Sequence, residues 1–180
     1  MQQLIALVLE PPSYDLPEPP MADPTPDQEA AVLAELAAAC RAEGYIVEAI
    51  DRGLEVSGED EEEGAFYLLP DHGWLQVRCL VMAPEDLAEA RDLTALFETI
   101  AHAQFRLIGC RFGYDAETGL WLVEDLYPGF EAARVPAVLE QLTFVWDALE
   151  DLFLAALAGT VPGEDAFDAA FDLEAATPPN

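Results

Sequence analysis

From Arg134 to Ala158 apolar side chains recur every third or fourth residue, and this stripe limits the possible folds more than any other stretch. Val135, Val138, Leu139, Leu142, Val145, Trp146, Leu149, Leu152, Phe153, Ala156 and Leu157 share one side of a helix, which Gly159 ends. A stripe this wide has to be laid on a broad apolar surface, because leaving it in water is unfavourable. The chain therefore needs a second layer, and upstream residues must supply it.

They read as a sheet. In Trp74–Met82, Leu75, Val77, Cys79 and Val81 alternate with Gln76 and Arg78, the period-two pattern of a strand covered on one face. Tyr45–Ile50, continuing through Leu54 to Val56, and Ala65–Leu69 are two further strand candidates, with Asp71-His72-Gly73 as turn chemistry before the third. Phe105–Tyr114 and Leu120–Leu126 form a hairpin around Asp115–Gly119. Two more helices are predicted. Thr25-Pro26-Asp27-Gln28 is a capping box that opens the first, with Val32, Leu33, Leu36 and Cys40 on one face and Gly44 as its stop. The second runs from Pro84 to about Gln104, with Leu93, Leu96, Phe97 and Ile100 on one face.

The order α-βββ-α-ββ-α, without βαβ alternation, predicts an α+β fold: an antiparallel sheet with helices packed on it. Around it lie an N-terminal arm and proline-rich linker (1–25), the domain itself (26–159) and an acidic, flexible tail (160–180). Residues 10–26 hold seven of the fourteen prolines. The hexapeptide Leu4–Leu9 is too short to fold alone and is expected to dock as an added strand or cap, on the body or on a second subunit.

Charge then narrows the function. Thirty-six acidic residues face seven arginines and no lysine, for a net charge of −29 over 180 residues. Such a surface repels phosphate, which all but excludes direct nucleic-acid binding and excludes anionic membranes on the same grounds. The apolar content of 52% argues against disorder of the whole. No basic n-region or long apolar run is present, so a cytoplasmic protein is expected. Cys40, Cys79 and Cys110 read as buried thiols, with neither a disulfide framework nor zinc spacing.

Candidate chemistry is sparse. His72 beside Asp71 has the makings of a dyad, but the turn needs those residues for backbone reasons. His102 reads as a favourable charge at a helix end. Ser13 and Ser57 lie in linkers or loops, away from any predicted base. Glu124-Asp125 and the group Asp147, Glu150, Asp151 are paired carboxylates, and acids on a polar face are usually solvated. The five acids Glu59, Asp60, Glu61, Glu62 and Glu63 form a solvated loop without the spacing of a calcium site. No enzyme, metal or cofactor is expected.

Two segments stand out. The first runs Arg106-Leu-Ile-Gly-Cys-Arg-Phe-Gly-Tyr114, then Asp115-Ala-Glu-Thr-Gly119, then Leu120-Trp-Leu-Val-Glu-Asp-Leu-Tyr-Pro-Gly129, followed by the helix carrying Val135, Leu139, Leu142, Phe144 and Trp146. This block resembles the YbjN family, and the element order over about residues 26–158 resembles the fold that family shares with type III secretion chaperones. The resemblance implies a small acidic cytoplasmic homodimer without a cofactor that binds another protein. The arm and tail depart from the secretion chaperones, so a general adaptor is expected rather than a secretion role.

The second is Gly163–Glu174, where Phe167 and Phe171 fall on one side of a helical turn among acids, with Leu173 beyond. These side chains either fold onto a basic, apolar groove of a partner or pack back on this chain's own body. The expectation is thus a chaperone-like, protein-binding homodimer with a basic partner, a DNA-binding protein among the candidates. Phe167, Phe171, Leu173 and Glu59–Glu63 are the partner contacts, and Leu93, Phe97, Ile108 and Phe112 the dimer contacts. An acidic nucleic-acid mimic that regulates a basic protein and a carboxylate-dependent enzyme are the alternatives.

Overall fold

The computed structural model describes residues 25–58 and 64–171, which form an α+β fold. Six strands make one wholly antiparallel sheet: β1 (Ile46–Ile50), β2 (Gly53–Ser57), β3 (Phe66–Asp71), β4 (Trp74–Met82), β5 (Cys110–Asp115) and β6 (Gly119–Leu126). The sheet order is β1-β2-β3-β4-β6-β5, so β1 and β5 are its edges. The described helices are α1 (Pro26–Ala42), α2 (Pro84–Ala88), α3 (Leu93–Gln104), α4 (Val135–Leu157) and α5 (Glu164–Ala170), with a single 3-10 turn, Ala132–Arg134, before α4.

The wide apolar stripe of α4 finds its surface. Val135, Val138, Leu139, Leu142, Val145, Leu149, Phe153 and Ala156 are buried, and α4 crosses β4 and β6. The strands answer with Leu54, Val56, Phe66, Leu68, Leu75, Val77, Cys79, Leu120 and Leu122 on the same face. The capping box of α1 forms as expected: Thr25 N–H donates to Gln28 Oε1 at 2.8 Å, and Gln28 N–H to Thr25 Oγ1 at 3.4 Å. Leu36 and Cys40 then bury its inner side over β1 and β2.

Four boundaries differ from the sequence reading. The strand from Tyr45 to Val56 is two strands, because Asp51-Arg52 form a two-residue turn closed by the Ile50–Gly53 pair. A Cβ at Gly53 would lie 2.1 Å from the Leu68 carbonyl oxygen, so only glycine lets β3 approach there. The Pro84–Gln104 helix is α2 and α3. Asp92 accepts from Thr94 N–H at 2.8 Å and starts a new helix, while Arg91 N–H donates to Leu157 O at 2.9 Å and ties the break to the end of α4. The strand expected from Phe105 begins at Cys110. The fourth difference is α5, a folded helix inside the segment read as a flexible tail.

Candidate functional site

All the strand positions that face away from the helices lie on one open surface. Pairing aligns Glu55, Tyr67, Arg78, Val123 and Arg111 in a row across β2, β3, β4, β6 and β5. Beside that row a polar chain crosses three strands. Arg111 Nη1 donates to Asp125 Oδ2, Gln76 Nε2 donates to Asp125 Oδ1 at 2.7 Å, and Arg78 Nε donates to Gln76 Oε1 at 2.5 Å. Val123 is buried although it points away from the core. Its row neighbours are Arg78 and Arg111, whose alkyl stems are the groups placed to cover it.

Aromatic pairs bracket the polar chain. Tyr67 and Trp121 meet edge to face at 5.5 Å, and Trp74 and Tyr127 meet at 4.8 Å. The turns hold these rings in place. Asp71 and Trp74 close a two-residue turn in which His72 and Gly73 have φ of 49° and 83°, the left-handed pair that matches strand twist. Asp115 Oδ1 accepts from Glu117 and Thr118 N–H at 2.8 and 2.9 Å, and those bonds hold the Asp115 carboxyl below its usual range. Trp121 Nε1 then donates to Thr118 Oγ1 at 3.1 Å. Two shallow grooves of about 530 and 370 Å³ flank the chain, and Arg52, Arg78 and Arg111, three of the seven arginines, line them.

The second surface lies at the free edge. Phe105 and Ile108 are 91% and 89% exposed, and Leu93, Phe97 and Tyr114 are also exposed. Phe97 and Tyr114 touch edge to face at 5.4 Å, joining α3 to the open strand β5. Three of the four expected dimer contacts, Leu93, Phe97 and Ile108, are therefore at the surface. Phe112 is not; it turns inward and packs on Phe153 at 5.0 Å. In α3 the inner face is Ala95, Leu96, Thr99 and Ala103, which leaves Leu93 and Phe97 on the outer flank instead of with Leu96.

Glu124 and Asp125 do not act as a pair. Strand alternation sends Asp125 to the open face and Glu124 to the helix side, in phase with Leu120, Leu122 and Leu126. Glu124 is half-buried, its Oε2 is buried without a hydrogen-bond partner, and burial pushes its carboxyl up while the Arg134 charge pulls it back. The sequence reading grouped this residue with Asp125 among the solvated acids, yet its phase among three leucines is visible in Leu120–Leu126. Asp147, Glu150 and Asp151 are exposed on α4. The three thiols are buried, each pushed up to about 11 by burial. Among the described residues no group of three or more His, Cys, Asp or Glu is placed to hold a metal.

The expected partner contacts are corrected in part. Phe167 is fully buried, stacked on His102 at 5.7 Å with the Arg106 guanidinium 5.3 Å from its ring centre. Arg106 Nη2 also donates to Asp168 Oδ1 at 3.0 Å, clamping α5 down. Phe171 packs beside it, partly buried. For these two side chains the body itself is the groove, since an aromatic ring with a cation and a stacking ring at hand gains more there than in water. Leu173 and Glu59–Glu63 lie outside the described residues.

No helix among the described residues is long and apolar enough to cross a membrane. Compared with known proteins, the chain matches no family model and no curated protein.

Proposed function

We propose that the chain is a non-catalytic, chaperone-like adaptor that works in the cytoplasm as a homodimer and binds a second, basic protein. One observation carries the reading. Five large apolar side chains, Leu93, Phe97, Phe105, Ile108 and Tyr114, stand exposed beside the unpaired edge strand β5. An open edge flanked by exposed apolar rings invites pairing with another chain, and proteins that leave such an edge free usually guard it with charge or proline. Of β5's exposed side chains, Arg111 and Asp115 are opposite in sign, so two copies running antiparallel would match rather than repel. The resemblance to the YbjN family leads to the same quaternary state. The charge of −29 supports the choice of a basic partner by long-range steering.

The test is the mass in solution. Light scattering at about 20 µM, where a dimer of micromolar affinity is well populated, should give twice the chain mass of 19.6 kDa. Ile108→Asp and Phe97→Asp should each give monomers with unchanged circular dichroism. A strict monomer for the natural chain sinks the dimer, and a dimer untouched by both changes moves the contact elsewhere. The adaptor half stands on capture: a basic protein held by the dimer and lost from high salt supports it, and a partner held equally in high salt contradicts the electrostatic choice.

A further inference from the structure

Between the end of β6 and the start of α4 lies a cleft of about 500 Å³, bordered by Asp125 and Tyr127 of the open face. Three further polar groups line it. Glu124 enters from the core side of β6, Arg134 stands at the entry to α4, and Gln141 lies two turns further along that helix. Leu126, Phe130 and Val138 add apolar wall. Gly109, with φ of 89°, borders the same space: a Cβ there would come 3.6 Å from Gln141 Nε2 and 3.9 Å from Glu124 Oε1.

Asp125 is engaged by Arg111 and Gln76, but Glu124 and Arg134 have no such partner among the described residues. Glu124 Oε2 is buried and accepts no hydrogen bond, and no ion pair joins Glu124 to Arg134 although the Arg134 charge acts on Glu124. A buried carboxylate oxygen without a donor is unfavourable, and a donor held between the two walls would relieve it. A carboxylate at one end of that donor would complete Arg134, whose planar fork suits it. We propose that this cleft binds a small zwitterion, a free amino acid or short peptide with an apolar side chain, its ammonium on Glu124, its carboxylate on Arg134 and its side chain against Phe130 and Val138. The size agrees, since small-molecule sites run from about 300 to 1,000 Å³ with a few polar groups in an apolar lining. This inference is independent of the dimer and of the adaptor reading.

The test uses matched ligands on the full chain. Calorimetric titration with L-leucine, L-phenylalanine and dileucine, each to about 10 mM so that millimolar affinities register, should find at least one binder. Isopentylamine and 4-methylpentanoate keep the leucine side chain but carry one charge each, and each should bind about tenfold or more weakly than leucine itself, the loss of one charge-assisted hydrogen bond. Glu124→Gln and Arg134→Gln should each weaken the zwitterion by a similar factor, with unchanged circular dichroism. Gln141→Ala, at the rim, gives a third variant should either of those fail to fold, and it should weaken binding by less. The proposal is overturned if no zwitterion binds, if the amine alone binds as tightly as leucine, or if binding ignores all three substitutions.

Discussion

Glu124 and Asp125 are neighbours on one strand with the same charge, and the sheet sends them to opposite environments. Asp125 sits on the open face, tied to Arg111 and Gln76 and half in water. Glu124 sits on the helix-covered face, with one oxygen buried and unpartnered. The whole sheet repeats this contrast. The covered face is leucine, valine and phenylalanine pressed under α1, α3 and α4, while the open face is a hydrogen-bonded polar chain between two aromatic pairs. Burial on one face supplies stability, and satisfied polar groups on the other keep that face compatible with water.

The largest effect should come from emptying the covered face. Phe153 is fully buried between Phe112 and Trp146, so Phe153→Ala should cost about 3–5 kcal/mol in urea denaturation. Trp121→Ala removes a ring of similar bulk from the open face, where it keeps one edge-to-face contact and one hydrogen bond. Its cost should be about 1–1.5 kcal/mol. Equal losses would mean that the open face is covered in solution, by a second copy or a partner, and the contrast between the faces would fall.

The two carboxylates sharpen the comparison with opposite signs. Glu124→Leu replaces a half-buried, under-bonded acid with an apolar group in phase with Leu122 and Leu126, and should stabilise by about 1 kcal/mol. Asp125→Ala breaks the polar chain at its centre but on a partly exposed pair, and should destabilise by about 0.5–1 kcal/mol. If Glu124→Leu destabilised the chain, the carboxylate would be making an interaction that the buried oxygen does not reveal.

Much of this was legible in the chain, and where it was not the reason is physical. Alternation in Trp74–Met82 placed Gln76 and Arg78 outward, because one covered face demands it. The same logic applied to Leu120–Leu126 puts Glu124 inward, but a carboxylate in a core phase reads against habit. The β1–β2 turn was lost because Asp51-Arg52-Gly53 is only three residues between two β-prone runs. The division of the second helix was lost because Arg91-Asp92 looks like polar helix surface until Asp92 is seen capping and Arg91 N–H is seen bonded to α4. Phe167 required knowledge of where Arg106 and His102 would stand, 61 and 65 residues away along the chain, a tertiary fact that no local pattern holds.

Acidity separates the faces again, through Glu124 and the turn residue Asp115. Glu124 has its carboxyl pushed above the ordinary range, so it supports the fold while protonated, below its unfolded value, and that support disappears as pH rises through the folded value. Glu124→Gln should therefore gain in melting temperature over the natural chain as pH goes from acid to neutral. Asp115 is held below the ordinary range by two backbone N–H groups, so its support is present above the unfolded value and lost as pH falls through the folded one. Asp115→Asn should trail the natural chain at neutral pH and draw level in acid. Melting curves of both variants from pH 3 to 7 that ran parallel to the natural chain would show that neither carboxyl is shifted in the folded state.

The smallest effect uses a thiol as a gauge of Glu124's charge. Cys110 pairs with Glu124 across β5 and β6 on the covered face, and its thiol is pushed up to about 11, first by burial and then by the Glu124 charge. Cys79 is also at about 11, by burial alone. The thiolate is the form that reacts, so alkylation follows the thiolate fraction at a given exposure. Removing the charge with Glu124→Gln should speed alkylation of Cys110 by less than about tenfold at mildly alkaline pH, because a tenfold rise would need a full 1.4 kcal/mol of lost repulsion. Cys79 should be unaffected, and following both cysteines as peptides by mass spectrometry separates the local charge from any general loosening. Equal acceleration at both sites would attribute the change to breathing of the covered face. No change at Cys110 would mean that Glu124 is uncharged when its neighbour reacts, which would remove the ionised carboxylate from the floor of the cleft.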